Sequence, residues 1–161
     1  MIPPQGLAYL ATPYTKYPRG LHAAFVDAAA TAAKLLRAGV KIYSPMCHGH
    51  PLAMYGGLDP LDLAIWLPLD DAMLAVCDVL IVAHMEGWQE SQGIAHEIKF
   101  FEQARKPIYD LKLEPFCLVR REISRPPHER YDGASDAELR GKAEEYLAHG
   151  KTPSEQGGAS V

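Results

Sequence analysis

Asp78-Val79-Leu80-Ile81-Val82-Ala83 leads through a short loop into Glu90-Ser91-Gln92-Gly93-Ile94-Ala95-His96-Glu97-Ile98. The first run is short, apolar and β-branched, the pattern of a buried strand. The second opens a helix whose Ile94, Ile98 and Phe101 lie along one side. Ser91 is placed as its N-cap. Gly93, in the first turn, removes a side chain where a ligand can meet the backbone. Glu97 borders the apolar side. A carboxylate so placed in a strand–loop–helix unit faces the mouth of a parallel sheet, where such folds bind ligands.

Upstream, Gly6-Leu7-Ala8-Tyr9-Leu10-Ala11 reads as a first strand and Thr12-Pro13-Tyr14-Thr15 as a loop, since Pro13 cannot donate to a ladder. An alanine-rich helix over 19–37 follows, with Leu21, Phe25, Ala28, Ala32 and Leu35 as its stripe and Gly39 as its stop. Val40-Lys41-Ile42-Tyr43-Ser44 is a second strand. Residues 45–60, with His48, His50 and several Gly and Pro, are expected as a long loop, a lid or pocket wall. A helix over 61–77 is expected to break or restart at Pro68 and to turn Leu69, Met73 and Val76 to the core. Downstream, the helix from Ser91 should end near Arg105. Pro107 to Leu111 is a fourth strand, and Phe116 to Val119 a short extra one.

Strands and helices in alternation predict an α/β fold: a doubly wound parallel sheet of four to five strands with helices on both faces. The first turn has no Gly-x-Gly-x-x-Gly, so the flavodoxin-like order fits better than the dinucleotide-binding one. A single domain is expected over 1–150. Within it, Ser124 to Gly133 reads as a linker, and Ser135 to His149 as a short helix with a capping box at Ser135 and Glu138. Residues 151–161 are expected to be a disordered tail.

A net charge of −4 gives no electrostatic basis for binding a nucleic-acid polymer or an anionic membrane. No apolar run approaches the ~20 residues of a membrane span. The opening Met1-Ile2-Pro3-Pro4-Gln5 lacks a basic leader, and three widely spaced cysteines, Cys47, Cys77 and Cys117, read as reduced thiols, so a cytoplasmic location is expected. No metal is expected, because His48 and His50 have no partners to complete a site. No cofactor is expected either.

Four residues are expected to meet above the sheet: Tyr9, Asp70, Ser91 and Glu97. Each also has a plain structural reading, as core tyrosine, surface charge, cap or solvated helix residue. Here the chain resembles the nucleoside 2-deoxyribosyltransferase family and its relatives, the nucleoside 5′-monophosphate N-glycosidases. The resemblance rests on Tyr9-Leu10-Ala11, on Asp70 eight residues before Asp78, and on Ser91-x-Gly93-x-x-x-Glu97, and spans about residues 6–111. It implies that Glu97 is the catalytic carboxylate at the anomeric carbon, that Asp70 assists at the base or sugar, and that Tyr9 orients Glu97. It also implies a homodimer, since related enzymes complete their pockets across subunits. The chain resembles as well a family of short bacterial and phage proteins of unassigned activity.

Serine at position 91, where the transferases usually carry aspartate, points to the monophosphate branch. A helix N-terminus with a serine hydroxyl binds a phosphate that a carboxylate would repel. The helix rises roughly 9 Å from Ser91 to Glu97, and the Glu97 side chain leans back toward Ser91. A sugar 5-phosphate can bridge that span. Gly93, Thr12, Arg19 and His50 complete the expected substrate contacts, Arg19 at the phosphate or else on the surface, and His50 with Trp66 and Trp88 in a wall for the base, Trp66 reading equally as core. His96 is expected to lie outside the site. The first loop is longer than its counterpart in the monophosphate glycosidases and has proline where they use serine.

The expected activity is cleavage or transfer at the N-glycosidic bond of a (deoxy)nucleoside or its 5′-monophosphate. Glu97 should be ionised and Asp70 the proton donor, by analogy with two-carboxylate glycosidases. Two other readings use the same fold. One is a non-catalytic nucleotide-binding or sensing module. The other is a phosphoryl acceptor, which needs an aspartate at the third strand's carboxyl end, whereas Asp78 stands at its amino end.

Overall fold

A computed structural model describes residues 4–122 of the chain. Contacts divide the chain into two units, Met1–Ile123 and Ser124–Val161; the single domain expected over 1–150, and the linker expected at 124–133, run beyond the described residues. The helix expected over 135–149 and the tail after it lie outside the described residues. The first unit runs β1 (Leu7–Ala11), α1 (Leu21–Arg37), β2 (Lys41–Tyr43), α2 (Pro45–Gly56), α3 (Leu63–Val76), β3 (Val79–Ala83), α4 (Gln92–Gln103), β4 (Ile108–Leu113) and β5 (Phe116–Arg120).

The sheet order is β2-β1-β3-β4-β5. The first four strands pair in parallel and β5 pairs antiparallel to β4. This is the flavodoxin-like order, with its reversal between β1 and β3, closed by an antiparallel edge strand. Alternation along the strands builds two cores. Ala8, Leu10, Ile81 and Ala83 pack with Ala32 and Leu35 of α1. Tyr9, Leu80 and Val82 pack with Leu74 of α3 and with Ile94 and Phe101 of α4 on the other face. β3 is buried at all five positions, as a central strand covered on both faces must be.

Three expectations change. The stretch 45–60 is not a loop: most of it is α2. Ser44 caps α2 by accepting from the Cys47 N–H at 3.3 Å, Pro45 stands in its first turn, and Gly57 ends it at φ 74°. All three are ordinary helix signals. Two histidines, Pro51 and a weak apolar stripe hide them. The helix α3 runs through Pro68 without a break. Its fully buried residue is Leu74, while Val76 is 62% exposed.

Both ends of β3 are tied in place. At its amino end Asp78 accepts from the Leu7 N–H at 2.8 Å and donates its own N–H to the Leu7 carbonyl at 2.8 Å. Gly6, at φ 86°, makes room, since a Cβ there would lie 2.2 Å from the Asp78 carboxylate. At the carboxyl end the loop after β3 meets the loop after β1. Gly87 stands at φ 82°, and a Cβ on it would lie 2.2 Å from the Lys16 carbonyl oxygen. The mouth of the sheet is thus framed by two touching loops.

Candidate active site

Tyr9 sits in the middle of β1 and is fully buried. Its Cα partner across the ladder is Tyr43, the last residue of β2, and the two rings lie 5.6 Å apart. Against Tyr9 comes Glu97, on the second turn of α4, with 9% of its surface exposed. Period 3.6 places Glu97 on the face that carries Ile94 and Phe101, so α4 cannot bury its apolar stripe without burying the carboxyl group. Asp70 on α3, half-buried, completes the group.

Four buried side-chain atoms among the described residues have no hydrogen-bond partner: Tyr9 Oη, Tyr43 Oη, Glu97 Oε2 and Thr12 Oγ1. Three of them belong to this one cluster, and Thr12 follows Tyr9 at the carboxyl end of the same strand. A buried polar atom left unpaired costs ~1–3 kcal/mol. Such atoms in a cluster call for partners that water or a ligand can supply.

The electrostatics follow from this burial. Desolvation lifts the Glu97 carboxyl from 4.5 to about 8; the nearby Tyr9 hydroxyl pulls it down and the Asp70 charge pushes it further up. Desolvation also lifts Asp70 from 3.8 to about 6, with Asp71 adding to the rise and His48 and His96 opposing it. Burial, and then the Glu97 and Asp70 charges, drive the Tyr9 phenol far above its ordinary range. Burial and Asp70 raise Tyr43 from 10.0 to about 12. The two carboxyl groups therefore hold one proton between them around neutral pH. Of the two, Glu97 is raised the further. Burial decides this: Glu97 lies behind α4 and the sheet, while Asp70 keeps partial access to water.

Ser91 caps α4, accepting from the Ile94 N–H at 3.3 Å, and is itself buried. A Cβ on Gly93 would touch nothing closer than Ser91 Oγ at 3.8 Å. The space over the first turn of α4 is open.

Other expected contacts go elsewhere. Arg19 pairs with Asp27 of α1 and with the Tyr17 hydroxyl, which also bonds Asp27. Arg19, its side chain 64% exposed, thus has a partner on α1. Lys16, in the same loop and beside Gly87, is exposed and makes no ion pair among the described residues. His50 is buried between α1 and α2, 2.8 Å from the Tyr14 hydroxyl, 3.3 Å from His22 and stacked on Phe25 at 4.7 Å. Of the two α2 histidines it is His48 that acts on Asp70, and its ring also approaches Tyr43 at 6.2 Å.

Trp66 and Trp88, expected in a wall for the base, have partners of their own. Trp66 lies against Gly49 and donates to the Asp59 carbonyl at 2.7 Å, and Trp88 stacks on His84 at 4.2 Å. His96 turns outward to Asp71, 2.8 Å away. No three His, Cys, Asp or Glu side chains among the described residues converge to hold a metal ion.

The family model of a domain of unknown function, DUF1937, matches residues 6–112. The chain belongs to this family. No curated protein matches it. The DUF1937 span takes in β1 through nearly all of β4, and with them Tyr9, Tyr43, Asp70, Ser91 and Glu97. The domain so defined is a sheet with a buried two-carboxylate cluster under its mouth. Among the described residues no helix is long and apolar enough to cross a membrane.

Tyr43 and His48 went unread in the sequence. Tyr43 carries no local signal, since its place beside Tyr9 is fixed by strand pairing across more than thirty intervening residues. The signal for His48 was present in the Ser44-Pro45 helix start, which puts it at a definite angle on α2.

Proposed function

We propose that this protein cleaves, or transfers at, the N-glycosidic bond of a nucleoside or its 5′-monophosphate. The observation that carries the reading is the buried pair Tyr9 and Glu97, both with unpaired polar atoms, close enough to a second carboxyl group, Asp70, for its charge to raise Glu97. In the step itself the C1′–N bond breaks and its electron pair leaves with the base. Positive charge develops on C1′ and the ring oxygen, and the Glu97 carboxylate stabilises it or bonds to C1′. Water or a second base then completes the exchange.

Positive charge beside Glu97 favours its ionised form. The pair's one proton is then carried by Asp70, which is placed to give it to the departing base. Tyr9, whose nearby hydroxyl already pulls the Glu97 carboxyl down, donates to its carboxylate once substrate is bound and so fixes its aim. The open first turn of α4, with Ser91 and Gly93, receives the 5′ end of the sugar, and backbone N–H groups there suit a phosphate. Lys16, exposed on the loop that touches Gly87, is the cation this reading assigns the part expected of Arg19. A nucleoside or nucleotide is the partner this site calls for.

The test is incubation with each nucleoside and deoxynucleoside monophosphate, followed by chromatography for free base, with and without an added second base. Release that disappears in Glu97→Ala supports the reading. No release from any substrate defeats it. The neutral state of Glu97 in the free protein favours a second reading, a module that holds a nucleotide by hydrogen bonds without turning it over. Binding by calorimetry, unchanged in Glu97→Gln and with no base released, would establish that one.

A further inference from the structure

Tyr43, the last residue of β2, stands beside Tyr9 across a parallel ladder, with the two rings 5.6 Å apart. Its ring packs against the core cluster of Tyr9, Leu74 and Leu80. The residue is half-buried, but the part that meets water is not the hydroxyl, which is buried and has no hydrogen-bond partner. That reverses the ordinary arrangement, in which a tyrosine buries its ring and keeps its polar tip wet or paired. Phenylalanine would fill the same space and strand nothing. Burial first, and then the Asp70 charge, hold the phenol up at about 12. It keeps its proton at every pH below that and is a standing donor. Ser44, the next residue, already caps α2, so the tyrosine is fixed between a strand end and a helix start.

We propose that the Tyr43 hydroxyl donates to the 2′-hydroxyl of the bound sugar, so that the site is built for a ribonucleoside or its 5′-monophosphate over the 2′-deoxy form. The proposal rests on the catalytic reading, which sets Glu97 at C1′ and Asp70 at the base. Tyr9 is then engaged with Glu97, and Tyr43 is the donor left over. C1′ is bonded to the base nitrogen, the ring oxygen and C2′. The sugar acceptors nearest it are therefore the ring oxygen and, in ribose alone, the 2′-hydroxyl. The ring oxygen loses acceptor strength as positive charge develops on it, so a donor held there would resist the step. The 2′-hydroxyl accepts without that penalty. Hydrogen bonds at this position strengthen as a glycosidic bond breaks, and only interactions that strengthen in the transition state raise the rate of the chemical step.

A 2′-deoxy sugar leaves the phenol buried and unpaired, which costs roughly five- to a hundredfold in affinity. A site built around a substrate hydroxyl rejects the analogue that lacks it, because its own polar group is then stranded. The 2′-hydroxyl also withdraws electrons and slows departure of the base in solution. The measure is therefore the ribose-to-deoxyribose ratio in a variant against the parent, not a raw rate.

The 5′-monophosphates of adenosine, guanosine, cytidine and uridine, each against its 2′-deoxy counterpart, test the proposal, with the free nucleosides alongside. In Tyr43→Phe the ratio of kcat/KM, ribose over deoxyribose, should fall at least roughly tenfold. A ratio equal in the two proteins overturns the proposal, since a merely structural tyrosine affects both sugars alike. Circular dichroism checks that the variant folds. Calorimetry on Glu97→Gln, which turns the ligand over too slowly to interfere, gives a measure that needs no change at position 43. The ribose form should bind at least roughly fivefold tighter, and equal or weaker binding overturns the proposal. Base release without a ribose preference defeats this inference alone. Neither release nor binding of any of these compounds defeats it together with the catalytic reading.

Discussion

Two polar clusters sit on this sheet and they are opposites. Over β3, β4 and β5, Asp110 accepts from Arg121 Nε at 3.0 Å and from Arg121 Nη2, and lies 2.8 Å from His84 Nε2. Burial alone would raise the Asp110 carboxyl, but Arg121 and His84 outweigh it and hold it below its ordinary value. Over β1 and β2, Glu97 has an unpaired oxygen, two unpaired tyrosine hydroxyls nearby and a raised pKa. Both clusters are partly or wholly removed from water. One has its counter-charges built in and is finished. The other lacks them, and a fold that tolerates that cost keeps it for something else to complete. Neither the number of charged residues nor their burial separates a structural cluster from a functional one. The unpaired atoms do.

The sharpest way to break this contrast is to neutralise both centres. Glu97→Gln should lower base release by roughly 10²–10⁴-fold, the usual worth of a positioned acid–base group. Asp110→Asn should leave the chemistry intact. Equal losses of activity per folded molecule in the two variants would erase the distinction.

The pH dependence comes next. With Asp70 at about 6 and Glu97 at about 8, kcat/KM should be bell-shaped with limbs near those values, which belong to the pair and not to either residue. Stability should move in opposite directions at the two clusters. The raised Glu97 carboxyl favours folding in its protonated form, so its contribution is full below about 4.5 and is lost as pH rises through about 8. The lowered Asp110 contributes above 3.8 and is lost as pH falls through its folded value. Glu97→Gln should therefore raise the melting temperature at pH 9 and do little at pH 4. Asp110→Asn should cost about 1–3 kcal/mol at pH 7 in a denaturant titration.

A smaller effect sharpens the same point. Tyr43→Phe removes a hydroxyl that has no partner, so stability should stay within about 0.5 kcal/mol. If that hydroxyl meets substrate, KM should rise several-fold, and an unchanged KM would place Tyr43 outside the site. Least of all, Ser91→Ala should cost about 1 kcal/mol through the lost cap, with a further rise in KM for a monophosphate but not for the free nucleoside.

The order of elements, the two-faced parallel sheet, the cap at Ser91 and the placement of Glu97 on the border of a buried stripe could all be read along the chain. Each depends on spacing within a few residues, and periods of 2 and 3.6 are written locally. α2 was legible too, through Ser44, Pro45 and Gly57, but a weak apolar stripe concealed it. The pairing of Arg19 with Asp27, the place of Tyr43 beside Tyr9, the closed triad of His84, Asp110 and Arg121, and the stronger rise of the Glu97 carboxyl over that of Asp70 could not be read so. These depend on which segments distant in sequence pack together and how far each group is taken from water. Proximity and desolvation belong to the folded whole, and no stretch of residues carries them alone.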